Sequence, residues 1–363
     1  MTDFVAESGV QGAASERQIA ARPYVRAWLY FICTLILAMV LVGGATRLTD
    51  SGLSITEWKP ILGAIPPLSE ADWQHAFSLY KQIPEYKVIN RGMSLEEFKF
   101  IYWWEWAHRF LGRFIGIAFF IPLVFFWATD RIEKKLKPGL VVAFLVGGLQ
   151  GFIGWYMVMS GLSERVDVSQ YRLALHLGLA VAIFAYLYWM ALGIGKRERQ
   201  ISDRAGWGAL VLTILVFVQV ILGAFVAGMD AGMGYNTWPL MDDALVPSGL
   251  FIMEPAWRNL FENAMTVQFN HRVLAYVIVI FAGIHIFRTL QVHREGPFAV
   301  SAGFAGLVVL VQVALGIWTL LAQVPIELAL LHQGGAVILL AACLWHLHIA
   351  ALEPAQATVT SPS

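Results

Sequence analysis

Apolar and polar positions in this chain segregate in long blocks rather than alternating within short windows. Apolar runs fall near residues 27–46, 101–127, 139–159, 172–194, 206–228, 266–288, 298–321 and 328–350, separated by charged or proline-containing stretches. At 1.5 Å per residue each is long enough to cross about 30 Å of hydrocarbon. Helices satisfy every backbone donor and acceptor within one segment, so the pattern predicts an all-α integral membrane protein of eight transmembrane helices.

The order of the blocks carries a second regularity. Leu173-Ala-Leu-His176-Leu-Gly178 is echoed by Ala329-Leu-Leu-His332-Gln-Gly334, and Glu105-Trp-Ala-His108-Arg109 by Gln268-Phe-Asn-His271-Arg272. Asp50-Ser-Gly52 after the first run matches Asp230-Ala-Gly232 after the fifth, and Gln150 with Gly154 matches Gln312 with Gly316. Each half holds an even number of spans, so the repeats are parallel and predict two tandem pseudo-symmetric four-helix bundles. Small residues four apart let helix backbones approach closely. The expected organisation is an N-terminal tail over 1–25 and a first bundle over 26–194 with an outer loop at 47–98. A linker at 195–205 leads to a second bundle over 206–350 with an outer loop at 230–262, and a tail follows at 351–363.

Both long loops lead into helices. Prolines 60, 66, 67 and 84 with short amphipathic stretches suggest small interfacial helices in the first. Ser94-x-x-Glu97 and Asn259-x-x-Glu262 are N-terminal cap patterns for spans two and six.

Charge orients the chain. Arg131, Lys134, Lys135 and Lys137 crowd one loop, Lys196, Arg197, Arg199 and Arg204 another, and Arg288 and Arg294 a third. The intervening loops carry Glu164, Asp167, Asp230, Asp242 and Asp243. Basic short loops stay on the cytoplasmic side, which places both termini inside. Asp3, Glu7 and Glu16 in the polar first segment do not suit a transit or secretory signal, so the expected home is a bacterial inner membrane. The composition, 58% hydrophobic and 14% charged with net charge zero, gives no basic surface for nucleic acid. The two cysteines, Cys33 and Cys343, lie inside spans and form no thiolate metal motif; they read as small apolar fillers.

The repeated histidines are the chemical signal. His108, His176, His271 and His332 fall early in spans two, four, six and eight, which all run in the same direction, so the four imidazoles share one depth near the outer side. A bilayer rarely tolerates imidazole without a use for it. Two imidazoles facing each other across a bundle are what a haem iron needs for its axial positions, whereas zinc would want further ligands. Arg109 and Arg272 each follow a ligand candidate and could meet haem propionates, or snorkel to the interface. Arg47 is a weaker candidate because its repeat partner is Ala227.

The halves differ at one position of interest. Glu105, three residues before His108, is an acid, while its counterpart Gln268 is a neutral amide. An acid beside a haem can relay protons, and a neutral group suits a site that only passes electrons, so the first half is the candidate catalytic half. His285 and His346 lie 14 residues beyond His271 and His332, about 21 Å along a helix. That spacing resembles bundles with two stacked haems. The first half has Pro122 and Met190 there, and an interfacial role for the two histidines is the plainer expectation. His75, His293 and His348 read as solvated.

Taken together, Gly43-Gly44-Ala-Thr46-Arg47-Leu-Thr-Asp50-Ser-Gly52-Leu-Ser, Glu57-Trp58-Lys59-Pro60 and Glu105-Trp-Ala-His108-Arg109 resemble the haem A synthase family. The likeness runs from about residue 25 to 350. It implies an oxidoreductase of cytochrome oxidase biogenesis that oxidises a methyl group of haem O to formyl by successive hydroxylations, giving haem A. By resemblance His108 and His176 mark the haem O substrate site, His271 and His332 hold an iron-bearing haem b cofactor, and Glu105 is the acid of the catalytic half. The implied surroundings are membrane lipid, haem O and haem A, and an electron donor the sequence does not name. Haem O synthase and a second copy of the chain are partners the resemblance admits. Some members carry a cysteine pair in the first outer loop; residues 47–98 contain none, which excludes a thiol route through that loop. The alternative is a b-type membrane cytochrome taking electrons from quinol, which the repeat and the four histidines would serve equally. A transporter would need polar mid-span positions, and these are mostly apolar.

Overall fold

The computed structural model describes residues 14–59, 62–163, 166–196, 201 and 204–351. Parts of both tails, Pro60, Glu164, Arg197 and Arg199 lie outside the described residues. Among those described, the regular structure is helical, and eight helices are long and apolar enough to cross a membrane. These are α1 (Glu16–Leu48), α4 (Leu95–Ala128), α5 (Lys137–Ser163), α6 (Gln170–Gly193), α7 (Arg204–Gly228), α9 (Ala264–Val292), α10 (Pro297–Leu321) and α11 (Ile326–Ala350). Short helices α2 (Glu70–Tyr80), α3 (Pro84–Val88) and α8 (Asn259–Glu262) lie in the two long loops. The chain is a multi-pass membrane protein.

Helix starts follow local chemistry. Ser94 caps α4 as expected: its hydroxyl accepts from Glu97 N at 3.3 Å while the Glu97 carboxylate accepts from Ser94 N at 2.7 Å. Ser15 and Gln18 form the same box, so α1 begins at Glu16, inside the stretch expected to be a tail. The second cap expectation is corrected. The N-cap of α9 is Asn263, whose side-chain oxygen accepts from Met265 N at 3.0 Å. Asn259 instead supports it, accepting from Asn263 Nδ2 at 3.1 Å, and Glu262 is occupied by Arg258.

The packing order is closed within each half. In the first, α1 packs on α4, α4 on α5, α5 on α6 and α6 on α1; in the second, α7, α9, α10 and α11 repeat the circuit. The halves meet where α6 touches α7 and α11, and α1 touches α11. Accordingly Leu29, Ile32 and Val40 of α1, Val181 and Leu187 of α6, Leu212 and Val216 of α7, and Val337 and Leu340 of α11 share one buried cluster. The peripheral α4 and α5 instead expose Ile121, Phe125, Leu145 and Phe152, the faces a lipid would meet. Arg47 bridges the halves, donating to Asp50 at 3.0 Å and to Asp230 at 2.6 Å. Asp50 and Asp230 both adopt left-handed φ, 48° and 49°, just past α1 and α7, which explains the repeated Asp-x-Gly: a short polar side chain tolerates that turn.

The first loop has its own core. Leu53, Trp73, Phe77, Tyr80, Ile83, Phe98, Ile101 and Tyr102 pack together, joining α2 to the first turns of α4. Outside the bilayer this burial is driven by water, at about 1.5–3 kcal/mol for a fully buried apolar side chain such as Phe98. Between helices inside the membrane that drive is absent, and close packing takes over.

Candidate functional site

Each four-helix circuit brings its two repeated histidines together. His108 on α4 and His176 on α6 have ring centroids 6.4 Å apart, and His271 on α9 and His332 on α11 repeat that 6.4 Å. Two imidazole–metal bonds of roughly 2.0–2.1 Å plus about 1 Å from each nitrogen to its ring centre come to about 6 Å. The spacing therefore fits a single iron between each pair. All four rings are half-buried and lie toward the end of the bundle that bears the long loops. Among the described residues no cluster of three or more His, Cys, Asp or Glu could hold a metal.

The rings fit because the helix facing each of them carries a glycine. A Cβ built on Gly43, Gly154, Gly223 or Gly316 would lie 3.1, 3.0, 3.2 or 2.7 Å from a ring atom of His108, His176, His271 or His332 respectively. Gly154 and Gly316 thus make room for an imidazole as well as for a backbone. The sequence reading paired Gln150 with Gln312 but missed Gln219, which stands four residues before Gly223 in the same relation. The spacing Gln-x-x-x-Gly, occurring three times, was the signal that could have found it.

Glu105 and Gln268 occupy equivalent places with different partners. Glu105 is 2% exposed, and its carboxylate is fully engaged. Oε2 accepts from Ser54 Oγ at 2.7 Å and Ile55 N at 2.6 Å, and Oε1 accepts from Arg109 Nε and Nη2 at 3.0 and 2.6 Å. Arg109 also donates to the carbonyls of Ile55 and Glu57, at 2.8 and 3.3 Å. In the second half Gln268 Nε2 donates to Ala231 O at 2.8 Å and its Oε1 accepts from Arg272 at 3.0 Å. Arg272 then reaches the carbonyls of Tyr235 and Thr237, at 2.6 and 2.8 Å. Both arginines therefore tie a loop to its helix. The first half does so with a buried ion pair and the second with a neutral amide. A small cavity of about 20 Å³ lies beside Arg109, lined by Trp58, Trp155 and Met159 among others.

Comparison with known proteins places the chain. Residues 26–344 match the family described as cytochrome oxidase assembly protein. The chain belongs to that family. Members similar to it include the Heme A synthase of Parvibaculum lavamentivorans, 52% identical over 337 residues, 92% of this chain and 96% of the relative. The Heme A synthase of Chelativorans sp. is 57% identical over 320 residues, covering 88% and 89%. That of Agrobacterium fabrum is 52% identical over 340 residues, covering 93% and 92%. These family members lend no support to the quinol-cytochrome alternative.

Two expectations outside the paired sites are corrected. His285 and His346, expected at an interface, are packed inside the protein: they are 7% and 0% exposed, with Nε2 atoms 3.0 Å apart. That distance is a direct hydrogen bond and leaves no room for an iron between them. Ser301 Oγ donates to Phe298 O at 2.9 Å, so it accepts from His346 Nδ1, also at 2.9 Å. His346 Nε2 is then the acceptor and His285 the donor. His348 is also fully buried rather than solvated, its ring set edge-on to Trp189 with centroids 5.0 Å apart. His75 and His293 are exposed as expected.

Proposed function

We propose that this chain is an oxidoreductase that converts haem O into haem A, acting in a bacterial inner membrane with both termini cytoplasmic. The observation that carries the reading is the pair of equal 6.4 Å imidazole pairs set in unequal surroundings, one beside Glu105 and one beside Gln268. The relatives named Heme A synthase agree with it over nearly the whole chain.

In this reading His108 and His176 hold the substrate haem O, and His271 and His332 hold a haem b cofactor. When bound, haem would supply the redox chemistry: two hydroxylations of one methyl group, each using one dioxygen and two electrons from the donor, then loss of water to leave a formyl. The chain supplies orientation and protons. Glu105 Oε2, against Ser54 Oγ–H, is the site at which a proton enters or leaves the catalytic half. Arg109 and Arg272, each bonded to carbonyls of a long loop, would supply positive charge to haem propionates. Gln268 sets a neutral amide where the first half has an acid, as suits electron transfer alone. The electron donor and haem O synthase are the expected partners, and the chain's own association into oligomers is compatible with this scheme.

The test is extraction and chromatography of haems from an oxidase-free host that makes haem O, with and without this chain. Haem A or its hydroxylated precursor is expected. Haem O unchanged beside a bound haem b, with donor and oxygen present, would overturn the proposal in favour of an electron carrier.

A further inference from the structure

Three of the four paired imidazoles are gripped by a glutamine, and one is not. Gln150 Nε2 donates to the main-chain oxygen of His176 at 3.0 Å and lies 3.1 Å from its Nδ1. Gln219 treats His271 in the same way, at 2.9 and 3.1 Å. Gln312 does so with His332, at 2.8 and 3.1 Å. Each glutamine stands one turn before the glycine that faces the same ring, so one helix face offers a gap for the imidazole and an amide to hold it. The side-chain oxygens of all three are buried without a hydrogen-bond partner.

An orphaned buried oxygen is costly, and three in one relation to a histidine form a pattern. The amide nitrogen that donates to the main-chain oxygen also lies against the ring, 3.1 Å from Nδ1 and, for His176 and His271, 3.4 and 3.3 Å from Nε2, so each glutamine ties its imidazole to the backbone beside it.

The fourth ring is different. Gly43 faces His108, but the residue one turn before it is Met39, whose Cε would lie 3.4 Å from a Cβ on Gly112. A thioether donates no hydrogen bond and accepts only weakly. Among the described residues no hydrogen bond reaches the His108 ring.

We infer that Gln150, Gln219 and Gln312 are positioning residues that lock His176, His271 and His332 as ligands, and that Met39 leaves His108 as the one ligand able to swing aside. The inference rests on the reading of both pairs as haem sites. It makes the His108 side of the substrate haem the face open to a small molecule, and closes the second haem on both sides.

Reciprocal substitutions test it in the full-length purified protein, read by optical and electron-paramagnetic spectra, haem content and carbon monoxide binding to the reduced form. The unsubstituted haem b is expected not to bind carbon monoxide; Gln219→Met is expected to make it do so and to weaken haem retention about 10–100-fold. Gln219→Glu, which loses the donor to the His271 main-chain oxygen, is expected to behave like Gln219→Met rather than like the unsubstituted protein. Met39→Gln, in protein loaded with haem O, is expected to slow carbon monoxide binding at the substrate haem tenfold or more. Haem b unchanged in Gln219→Met would overturn the locking role, and undiminished carbon monoxide binding in Met39→Gln would overturn the role of His108. Should Gln219→Met fail to fold, Met39→Gln still decides. Unsubstituted protein carrying no haem b would instead defeat the underlying reading of the site.

Discussion

Arg109 Nη2 lies 2.6 Å from Glu105 Oε1, one turn earlier on the same helix, in a pair whose side chains are only 13% and 3% exposed. The bidentate contact, with Nε at 3.0 Å, joins α4 to the loop residues Ser54, Ile55 and Glu57. Removing the acid strands a buried guanidinium and two loop donors. Glu105→Ala is therefore expected to destabilise by about 3–5 kcal/mol, visible as a lower melting temperature in detergent. Glu105→Gln copies the Gln268–Arg272 arrangement and is expected to keep the fold and haem b while losing haem O oxidation. Full activity in Glu105→Gln would refute a proton role for this side chain.

The two imidazole pairs should separate by haem content. His271→Ala or His332→Ala is expected to abolish the haem b spectrum of the purified protein. His108→Ala or His176→Ala is expected to retain that spectrum and lose only conversion of haem O. Loss of haem b from the first-half variants would mean that the two sites are not independent.

Gly316 has the least room of the four ring-facing glycines, since its added Cβ would lie 2.7 Å from His332 Cε1. Gly316→Ala should displace that ring and lower haem b content several-fold, with a broadened optical band. Gly223→Ala, whose Cβ would lie 3.2 Å from His271, should do less. Equal effects from the two would show that backbone packing, not ring clearance, sets the requirement.

Glu85, in α3 of the first loop, is 4% exposed, and its Oε2 has no hydrogen-bond partner. Burial, reinforced by the negative charges of Asp50 and Glu105, pushes its carboxyl up to about 8. An exposed glutamate in the unfolded chain loses its proton near 4.5, so the folded state binds the proton more tightly. Stability should accordingly fall as pH rises from about 4.5 to about 8 and level off above that. Melting curves across this range should show the decline, and Glu85→Gln should flatten it. An unchanged slope in Glu85→Gln would assign the pH dependence to another group.

Much of the site was legible because the features that mark it are local and repeated. Eight apolar blocks demand eight helices once no water is present to satisfy the backbone. The recurrence of the His-bearing segments in both halves marked His108, His176, His271 and His332 as candidates, since each falls early in a span and the four spans run in the same direction. Glu105 against Gln268 was legible for the same reason.

Other features depended on which helix faces which, and that is not a property of any single segment. Gln219 was overlooked because its meaning comes from Gly223 and His271 on a neighbouring helix. His285 and His346 sit near the ends of their spans, where an interfacial position is the natural expectation. Only the approach of α9, α10 and α11 buries them against Ser301. Arg47 seemed unmatched because Ala227 holds its repeat position, yet across the halves it meets Asp230.

The order of apolar and polar residues alone thus determined eight spans, their doubling and the four candidate ligands, since hydrophobic length and helical period act along the chain. Tertiary structure decided the 6.4 Å ring spacings, the engagement of Glu105 by Arg109 and the loop, and the glutamine behind each ring but His108. These depend on contacts between segments distant in sequence, where about an ångström separates the 6.4 Å ring pairs from the hydrogen-bonded pair at 5.2 Å.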